Sequence, residues 1–345
     1  MIINAFNINH LHYRKINLHL YDFHAEGIHM TGEFGIFGGI GNWIDTMTLK
    51  NLYIFNCTNN FVLISGGGFK NMLIENITFI DIPDTLDFAL FSTFNINVTI
   101  RQLNITNYSS VPSLSSSFML FQSLPYSFVK LEDIYIENCN FNSFPIFSSV
   151  LPLASISIKN GYYKNVTLAF ESTFFSFIHM NSFIFQNHTI VDSGSHKVTD
   201  VKSNFVNIGA LYLDTMALGV FEGLTFINSE VSVFKIAGML GSPTNLKVIS
   251  LTNLNYKDSY FTEPRQLISL EGMLSQGNIS VILSDIHFVN LQYKTVGLLI
   301  NLNHQLPNPV ILKDSTFTNI ISGGINVKTF NTNLGILPTI VQMVN

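Results

Sequence analysis

The chain has 345 residues, of which 47% are hydrophobic and 11% are charged, and its formal net charge is -5 at pH 7. Globular domains contain about 25% charged residues, so this chain can bury a large apolar core and does not have the composition of a disordered one. The charges are scattered and no basic run occurs, so nucleic-acid binding has no electrostatic support. No stretch of about 18 consecutive apolar residues is present, and no membrane-spanning helix is expected.

A six-residue phrase recurs along the chain: a polar residue, an apolar one, any residue, a large apolar one, any residue, and finally Asn or Asp. Successive copies begin 25 to 36 residues apart. Such a period is typical of a solenoid, in which each repeat stacks on its neighbours. In chain order the copies end at Asp22, Asn56, Asp81, Asn107, Asn138, Asn165, Asp192, Asn228, Asp258, Asn290 and Asn319.

Each phrase predicts a β-strand that ends in a turn. Apolar and polar positions alternate within it, as in a strand with one buried face. Asn and Asp tolerate the left-handed backbone conformation of a turn, so we expect the last residue of each phrase to end the strand. A second apolar, β-rich run follows most phrases, for example Val233–Ile236. Each coil therefore holds at least two strands, and no helix is predicted.

Stacking follows from the apolar side of the coil, which one coil cannot bury alone. Parallel strands about 4.8 Å apart would pair the backbones and place like residues over like. The Asn and Asp side chains at the ends of the phrases would then form a hydrogen-bonded structural ladder along one edge, as amides do in cross-β structures.

The repeated strand phrase and its asparagine corner resemble the right-handed parallel β-helix of the pectin-lyase-like class, over roughly residues 14–330. The resemblance implies an all-β, right-handed parallel β-helix, and the copies of the phrase predict about 11 coils with 25–36 residues per coil. More narrowly, the chain is similar to repeats of bacterial polymorphic outer-membrane adhesins and of β-helical surface proteins in unicellular eukaryotes. The features that carry this narrower resemblance are Phe79, Phe226, Phe288 and Phe317, two residues before the end of a phrase, and Gly323–Ile325.

A leucine-rich repeat is the main structural alternative. Its consensus places Asn three residues after the last strand leucine, and its second half is often helical. In this chain the Asn comes two residues after the equivalent apolar position, and the second half of the repeat is β-like. The pattern therefore favours the β-helix.

The two ends of the chain suggest a piece of a longer polypeptide. Phrases already run at Asn17 and still run at Asn319, without a polar capping unit on either side, and solenoids need such caps for solubility. The first ten residues lack the layout of a signal peptide. We expect residues 1–345 to form a single β-helix domain without caps of its own.

Histidines and cysteines are the first candidates for chemistry along the chain. His10 and His12 would share one face of a strand, as metal ligands can, but no Cys or acidic partner follows at ligand spacing. Cys57 and Cys139 both come directly after a phrase, three coils apart. At about 14 Å they exceed the Cα separation of about 7 Å that a disulfide allows. We therefore expect free thiols and neither a metal nor another cofactor.

No catalytic group emerges from the acidic residues. The one acidic cluster is Asp81, Asp84 and Asp87, and Asp81 already ends a phrase. Polysaccharide lyases and hydrolases on this fold use clustered Asp with Lys or Arg, and glycoside hydrolysis needs paired carboxylates. Neither an adjacent Asp pair nor a nearby cation occurs, so we interpret the cluster as a solvated turn.

Two kinds of surface site are predicted. Loops that project from a rigid scaffold often carry function, and the polar insertion at residues 192–204 offers His196, Lys197 and Asp200 as ligand-binding candidates. Several Asn-x-Ser/Thr sequons occur, some of them at corners where a stacked amide could not carry a glycan. The candidate N-glycosylation sites outside the corners are Asn97, Asn104 and Asn278.

The leading hypothesis is a non-catalytic scaffold, at the cell surface or outside the cell, with an adhesive or structural role. Its partners would be carbohydrates or other surface proteins. One alternative is a carbohydrate-active enzyme on the same fold, either a polysaccharide lyase or a glycoside hydrolase. Another is a spacer segment of a large membrane-anchored protein. Enzyme activity is left open, although the missing catalytic constellation argues against it.

Overall fold

The structure is a computed structural model, and all regular elements in its described residues are β-strands. It describes residues 16–28, 37–57, 64–85, 91–110, 119–121, 127–141, 145–149, 153–168, 173–177, 180–194, 204–208, 212–213, 218–237, 240–241, 247–271, 279–303, 310–328 and 342–344. In chain order the strands are β1 (Ile16–Glu26), β2 (Phe37–Phe55), β3 (Ile64–Thr85), β4 (Phe91–Ser110), β5 (Met119–Phe121), β6 (Phe128–Phe141), β7 (Phe147–Ser149), β8 (Leu153–Leu168), β9 (Thr173–Phe177), β10 (Met180–Val191), β11 (Asn204–Ile208), β12 (Tyr212–Leu213), β13 (Leu218–Ile227), β14 (Ser232–Ala237), β15 (Leu240–Gly241), β16 (Lys247–Phe261), β17 (Gln266–Glu271), β18 (Ile279–Asn303), β19 (Val310–Lys313), β20 (Thr316–Lys328) and β21 (Gln342–Val344).

The long strands that contain the phrases form one parallel stack, in the order β1, β2, β3, β4, β6, β8, β10, β13, β16, β18 and β20. A second parallel stack begins with the first residues of β2, β3 and β4, continues through β5, β7, β9, β11, β14 and β17, and ends with the last residues of β18 and β20. Each strand therefore lies one turn after its neighbour. The predicted fold class, an all-β parallel β-solenoid, is confirmed, and the second half of each complete turn is a strand rather than a helix.

The number of complete turns is smaller than predicted. About six turns, beginning with β6, β8, β10, β13, β16 and β18, have both strands described together with side chains. The prediction of about 11 coils counted every copy of the phrase. Strands with a phrase extend the stack at both ends, but a phrase gives only one side of a turn.

The first and last residues of each phrase are both corners. All of them have φ between 45° and 66°, in the left-handed region that Asn and Asp tolerate better than other side chains. The last-position corner was predicted, whereas the corner at the first position was missed. The residues at the first position are Asp22, Asn51, Asn76, Gln102, Asp133, Asn160, Asn187, Gly223, Asn253, Asp285 and Asp314.

The prediction that Asp22 ends its phrase is wrong, because Asp22 lies at the first corner and not at the last. In the pairing of β1 with β2, Phe23 lies opposite Leu52, and the amide of Asn51 donates to Oδ1 of Asp22 at 2.7 Å. The first phrase is therefore 22–27, and Gly27, with φ 63°, takes the last corner. Leu18 and Leu20 misled the alignment because the strand segment before the first corner also alternates.

The core is a continuous column of apolar side chains inside the coil. The fourth position of the phrase is buried in nearly every described turn, and the rings of Phe226 and Tyr256 stack there at 4.8 Å between centroids. Burying one such side chain contributes about 1.5–3 kcal/mol. The members of this column with no exposed surface are Ile54, Phe79, Ile105, Ile136, Tyr163, Ile190, Phe226, Tyr256 and Phe288.

Candidate functional site: the outer face of the phrase strands

The outer face of the phrase strands is open in the described turns. In the second stack, the side chains of β7 are all buried, and those of β9 nearly so. Along β6, by contrast, buried residues alternate with exposed or half-buried ones. The third and fifth residues of each phrase point outwards between the two corners. This face, which we call the phrase face, is therefore a surface that a partner can reach.

The corners that border the phrase face carry hydrogen-bonded side chains. In each bond that is formed, a carboxamide donates to the corner residue of the turn before it. Asp can only accept such a bond, and each Asp of the last-corner column is followed one turn later by an Asn that donates to it. At the last corner the bonds are Asn107 to Asp81 (2.7 Å), Asn165 to Asn138 (2.9 Å), Asn228 to Asp192 (2.7 Å), Asn290 to Asp258 (2.7 Å) and Asn319 to Asn290 (3.1 Å).

The first corner has a ladder of the same kind. Asn51 donates to Asp22, Asn76 to Asn51 (2.9 Å), Asn160 to Asp133 (2.9 Å) and Asn187 to Asn160 (3.2 Å). The predicted single edge of amides is therefore two edges, one on each side of the phrase face. These side chains fix the register of the turns and are engaged with each other.

A third ladder, of serines, was not predicted and lies just inside the last corner. Ser193, Ser229 and Ser259 each donate from the hydroxyl to the carbonyl oxygen two residues earlier, at 2.7–2.9 Å. Each hydroxyl also accepts from a backbone N–H of the previous turn, as Ser259 does from Ser229 N at 3.0 Å. In these three turns a Ser directly follows the last residue of the phrase, and this recurrence in the sequence could have predicted the ladder.

Cys57 and Cys139 are free and buried, and each thiol lies near the carbonyl oxygen two residues earlier, as the serines do. Burial raises the pKa of the Cys57 thiol and raises that of Cys139 to about 12. A thiol with a raised pKa is rarely ionised and is therefore a poor nucleophile. The role of these cysteines is to fill the corner.

Charged residues on the phrase face, and on the strand segments just before its first corner, are paired with each other. The Lys164 ammonium lies 3.1 Å from Glu137, and Arg101 lies 3.1 Å from Glu132, which Lys130 also contacts at 2.8 Å. Hydrogen bonds from Tyr135 and Lys164 lower the pKa of Glu137, and the bond from Lys130 lowers that of Glu132. Both carboxylates are therefore ionised, and neither has the raised pKa that a general acid needs near neutral pH.

Aromatic rings form the apolar part of the face. The rings of Tyr135 and Tyr162, one turn apart, stack at 5.5 Å with an interplanar angle of 16°, and Tyr135 is 37% exposed. Its hydroxyl donates to Glu137, and that bond raises its pKa to about 12. Near the first turn, Tyr53 stacks on His24 at 5.0 Å. Two exposed aromatic pairs therefore lie on the same side of the solenoid.

The residues predicted as sites are not brought together. His196, Lys197, Asp200 and Asn278 lie outside the described residues, as do His10 and His12. Asp81 sits at its corner, whereas the side chains of Asp84 and Asp87 are outside the described part. No group of three or more His, Cys, Asp or Glu in the described ranges is placed to hold a metal ion.

The two described glycosylation candidates differ in their surroundings. Asn97 is half-buried, and its amide nitrogen, the atom that a glycan would modify, donates to Oδ1 of Asn71 at 2.9 Å. Asn104 lies at an outward position and uses its side-chain oxygen to accept a hydrogen bond from Thr106 at 3.1 Å. As the third residue of the phrase 102–107, Asn104 lies on the phrase face.

Buried polar groups inside the coil were also missed by the sequence reasoning. Arg265 is 2% exposed, and its guanidinium lies 3.6 Å from Glu230, which also accepts hydrogen bonds from the backbone N–H (2.9 Å) and hydroxyl (2.6 Å) of Thr262. Burial lowers the pKa of Arg265 and the Glu230 carboxylate opposes that shift. The pair fixes the bend between β16 and β17.

The geometry defines a parallel β-solenoid protein with an open face between two amide ladders. Comparison with protein families, with curated proteins and with solved structures gives no significant match. Across the described residues, no helical segment has the length and hydrophobicity that crossing a membrane requires.

Proposed function

We propose that this protein is a non-catalytic β-helix scaffold of the cell surface or the extracellular space, and that its phrase face adheres to a partner. The resemblance of its phrases to pectin-lyase-like and outer-membrane adhesin repeats supports this role. So does the construction of the face, in which rigid ladders on both sides hold a broad surface in place. Sites on rigid elements keep their geometry better than sites on loops.

The observation that carries the proposal is the state of the carboxylates on and beside the phrase face. Glu137, on the face, is ionised and paired with Lys164 of the next turn. Glu132, just before the first corner, is ionised and paired with Lys130 of its own strand and with Arg101 of the previous turn. A glycosidase needs one carboxyl group that holds a proton near neutral pH, and these two do not meet that need. What the face offers instead is binding chemistry.

Carbohydrate is the partner class that this chemistry favours. The stacked rings of Tyr135 and Tyr162 form an apolar patch on the face, and Tyr135 is 37% exposed. Beside them, Glu137 and Lys164 provide an acceptor and a donor of hydrogen bonds. Saccharide rings combine an apolar face with hydroxyl groups at the edge, and aromatic side chains with polar neighbours match both features.

Adhesion can be tested with the purified protein coupled to beads. We expect the beads to be retained on immobilised polysaccharides, and the double variant Tyr135→Ala/Tyr162→Ala to lower retention about tenfold, as loss of an aromatic anchor does. The matched control is Thr225→Ala/Asn255→Ala, which removes outward side chains of the same face from turns without the ring pair, and it should behave as the parent.

Two results would contradict the proposal. Release of oligosaccharides from the polysaccharide by the parent protein would indicate a lyase or hydrolase. Equal retention of all three proteins would show that the phrase face does not adhere. The location is tested separately, by antibody labelling of intact and permeabilised cells that make the protein. Signal only after permeabilisation would rule out a surface role.

A further inference from the structure

Three polar side chains on and at the border of the phrase face form a hydrogen-bonded chain that the adhesive role does not use. The Nε2 atom of His287 lies 2.8 Å from Oδ1 of Asp285, two residues earlier on the same strand. The Nδ1 atom of His287 lies 2.7 Å from Oγ1 of Thr316, its partner in the pairing of β18 with β20. A carboxylate, an imidazole and a hydroxyl are therefore joined in that order.

The carboxylate decides which nitrogen of the imidazole carries the proton. A carboxylate can only accept hydrogen bonds, so Nε2–H of His287 donates to Asp285. In the neutral imidazole the other nitrogen, Nδ1, is then an acceptor, and it receives the hydroxyl proton of Thr316. This is the arrangement of an activated nucleophile, in which a hydroxyl bonds to a base that a third group orients.

The order of residues along the first corner explains why Asp285 is available to the imidazole. In other turns, Asp22 and Asp133 accept a hydrogen bond from an Asn carboxamide at the same corner of the next turn. Asp285 is followed at this corner by Asp314, and a carboxylate has no N–H group to donate. Asp285 therefore orients His287 instead of accepting a bond of the amide ladder.

The hydroxyl of Thr316 can be reached from solvent. It is the third residue of its phrase, a position that points outwards. In turns with a neighbour on both sides, the third residues Thr189 and Thr225 are still half-buried rather than buried, and 32% of the side chain of His287 is exposed. Access to Thr316 therefore results from the outward direction of the phrase face and not from the position of β20 in the stack.

The surroundings of Thr316 favour an activated acyl group as its reaction partner. Acyl transfer from amides and alkyl esters relies on preorganised donors that stabilise the oxyanion. The next outward position of β20 carries one further hydroxyl, that of Thr318, which rotates freely and is a modest donor. Aryl esters and thioesters depend less on such donors because their leaving groups depart readily.

We propose that Thr316 is a site of O-acylation by activated esters, with His287 as the general base and Asp285 as a positioning residue. Oγ1 of Thr316 attacks the acyl carbon while its proton passes to Nδ1 of His287. The bond from the acyl carbon to the leaving oxygen or sulfur then breaks, and the leaving group takes that proton. The products are a threonine ester on the scaffold and a free phenol or thiol. This modification does not depend on the adhesive function.

The full chain can be tested with 4-nitrophenyl acetate as the acyl donor. Peptide mapping by mass spectrometry identifies each acetylated residue, which separates Thr316 from lysines that react on their own. The matched hydroxyl is Thr318, which is exposed on the same face of the same strand, whereas both ring nitrogens of His287 are bonded elsewhere. We expect Thr316 to be acetylated about a hundredfold faster than Thr318, a factor that a general base supplies.

Three variants separate base catalysis from a structural role. His287→Ala should remove the preference for Thr316, and free imidazole in the buffer should restore it, which a structural role would not produce. Asp285→Asn, which suits the same left-handed corner, should slow acetylation of Thr316 at least about tenfold because the tautomer is no longer fixed. Thr316→Ser should retain the reaction.

Two results would overturn the proposal. One is equal acetylation of Thr316 and Thr318 in the parent. The other is a His287→Ala variant whose acetylation of Thr316 matches the parent or is not restored by imidazole. Neither result would affect the retention of the protein on polysaccharide, so the failure of this proposal can be told apart from the failure of the adhesive function.

Discussion

The ring of His188 lies directly over Gly161, one turn below it, with Nδ1 only 2.2 Å from where a Cβ on that glycine would be. His188 is the second residue of its phrase, a position that an apolar residue, Leu224, occupies in the next turn. Its Nε2–H donates to the carbonyl oxygen of Ile158 at 3.1 Å, and aromatic rings surround it. The missing side chain at Gly161 is what makes room for an imidazole in the core.

Substitution of Gly161 tests this relationship. Gly161→Ala would place a methyl group that overlaps Nδ1 of His188 and the ring of Tyr163. We expect a loss of about 1–3 kcal/mol in the free energy of unfolding, as overpacking causes. Urea denaturation measures it. The control is Gly324→Ala, whose Cβ would meet its nearest atom at an ordinary 3.5 Å. The double variant Gly161→Ala/His188→Ala should recover part of the loss; equal stability of parent and Gly161→Ala would contradict the geometry.

Acidification should destabilise the fold through the same histidine. Burial lowers the pKa of His188 from 6.5 to about 4, so between these values the unfolded state binds more protons than the folded state. Stability is therefore retained above pH about 6.5 and falls as the pH drops towards 4 and below, by roughly 3 kcal/mol for this group.

Protonation of carboxylates also destabilises the fold in acid, because the pKa values of groups such as Glu132 and Glu137 are lowered in the folded state. The effect of His188 on the pH dependence of stability must therefore be measured separately. The variant His188→Leu retains these carboxylates and carries the residue found at this position in the next turns. Its free energy of unfolding, measured by urea titration from pH 7 to pH 4, should fall less steeply than that of the parent. Parallel curves for the two proteins would refute the assignment.

The corner at Asn138 combines a conformational and a hydrogen-bonding role. It has φ 53° and accepts from the amide of Asn165. Asn138→Gly should cost about 1 kcal/mol, the order of one hydrogen bond, because glycine adopts this conformation freely. Asn138→Ala should cost about 1–2 kcal/mol more than the glycine variant, since alanine disfavours the left-handed region. Equal melting temperatures for the two variants would show that the left-handed conformation at position 138 does not contribute to the cost.

Gln102 is the one corner of its column where a long side chain occupies the left-handed region, with φ 56°. Its side chain is exposed, so packing does not compensate for the conformation. Gln102→Asn should raise the free energy of unfolding by about 0.5–1 kcal/mol, because Asn tolerates this region better. The matched control is Glu222→Gln, an exposed substitution that creates no new corner. A lower melting temperature for Gln102→Asn would contradict the expectation.

The buried pair of Glu230 and Arg265 predicts an asymmetric response. Arg265→Met alone should cost about 3–5 kcal/mol, because it leaves a buried carboxylate without its cation. The double variant Glu230→Gln/Arg265→Met removes both charges and should be more stable than the single one. Denaturant titration of the set measures the coupling between the two residues. A double variant no more stable than Arg265→Met would show that the two charges do not depend on each other.

The repeat itself is determined by the sequence. Alternation in phrases such as 133–138 predicts a strand with one buried face, and the period of 25–36 residues predicts that the strands stack. Both signals are local and recur along the chain, so a single misread copy does not change the fold. The polar first position carried a further signal: Asn51 and Asn76 are as suited to a left-handed corner as Asn56.

Register and interior contacts were decided by the tertiary structure. Leu18 and Leu20 alternate as a phrase does, and only the pairing of β1 with β2 shows that Asp22 begins its phrase. The place of His188 over Gly161, and of Arg265 beside Glu230, depends on which residues of different turns come to lie together. Alternation repeats every two residues, so several alignments of one coil on the next place the apolar residues inwards equally well. Which side chains meet across turns is decided only when all the turns pack together around the core.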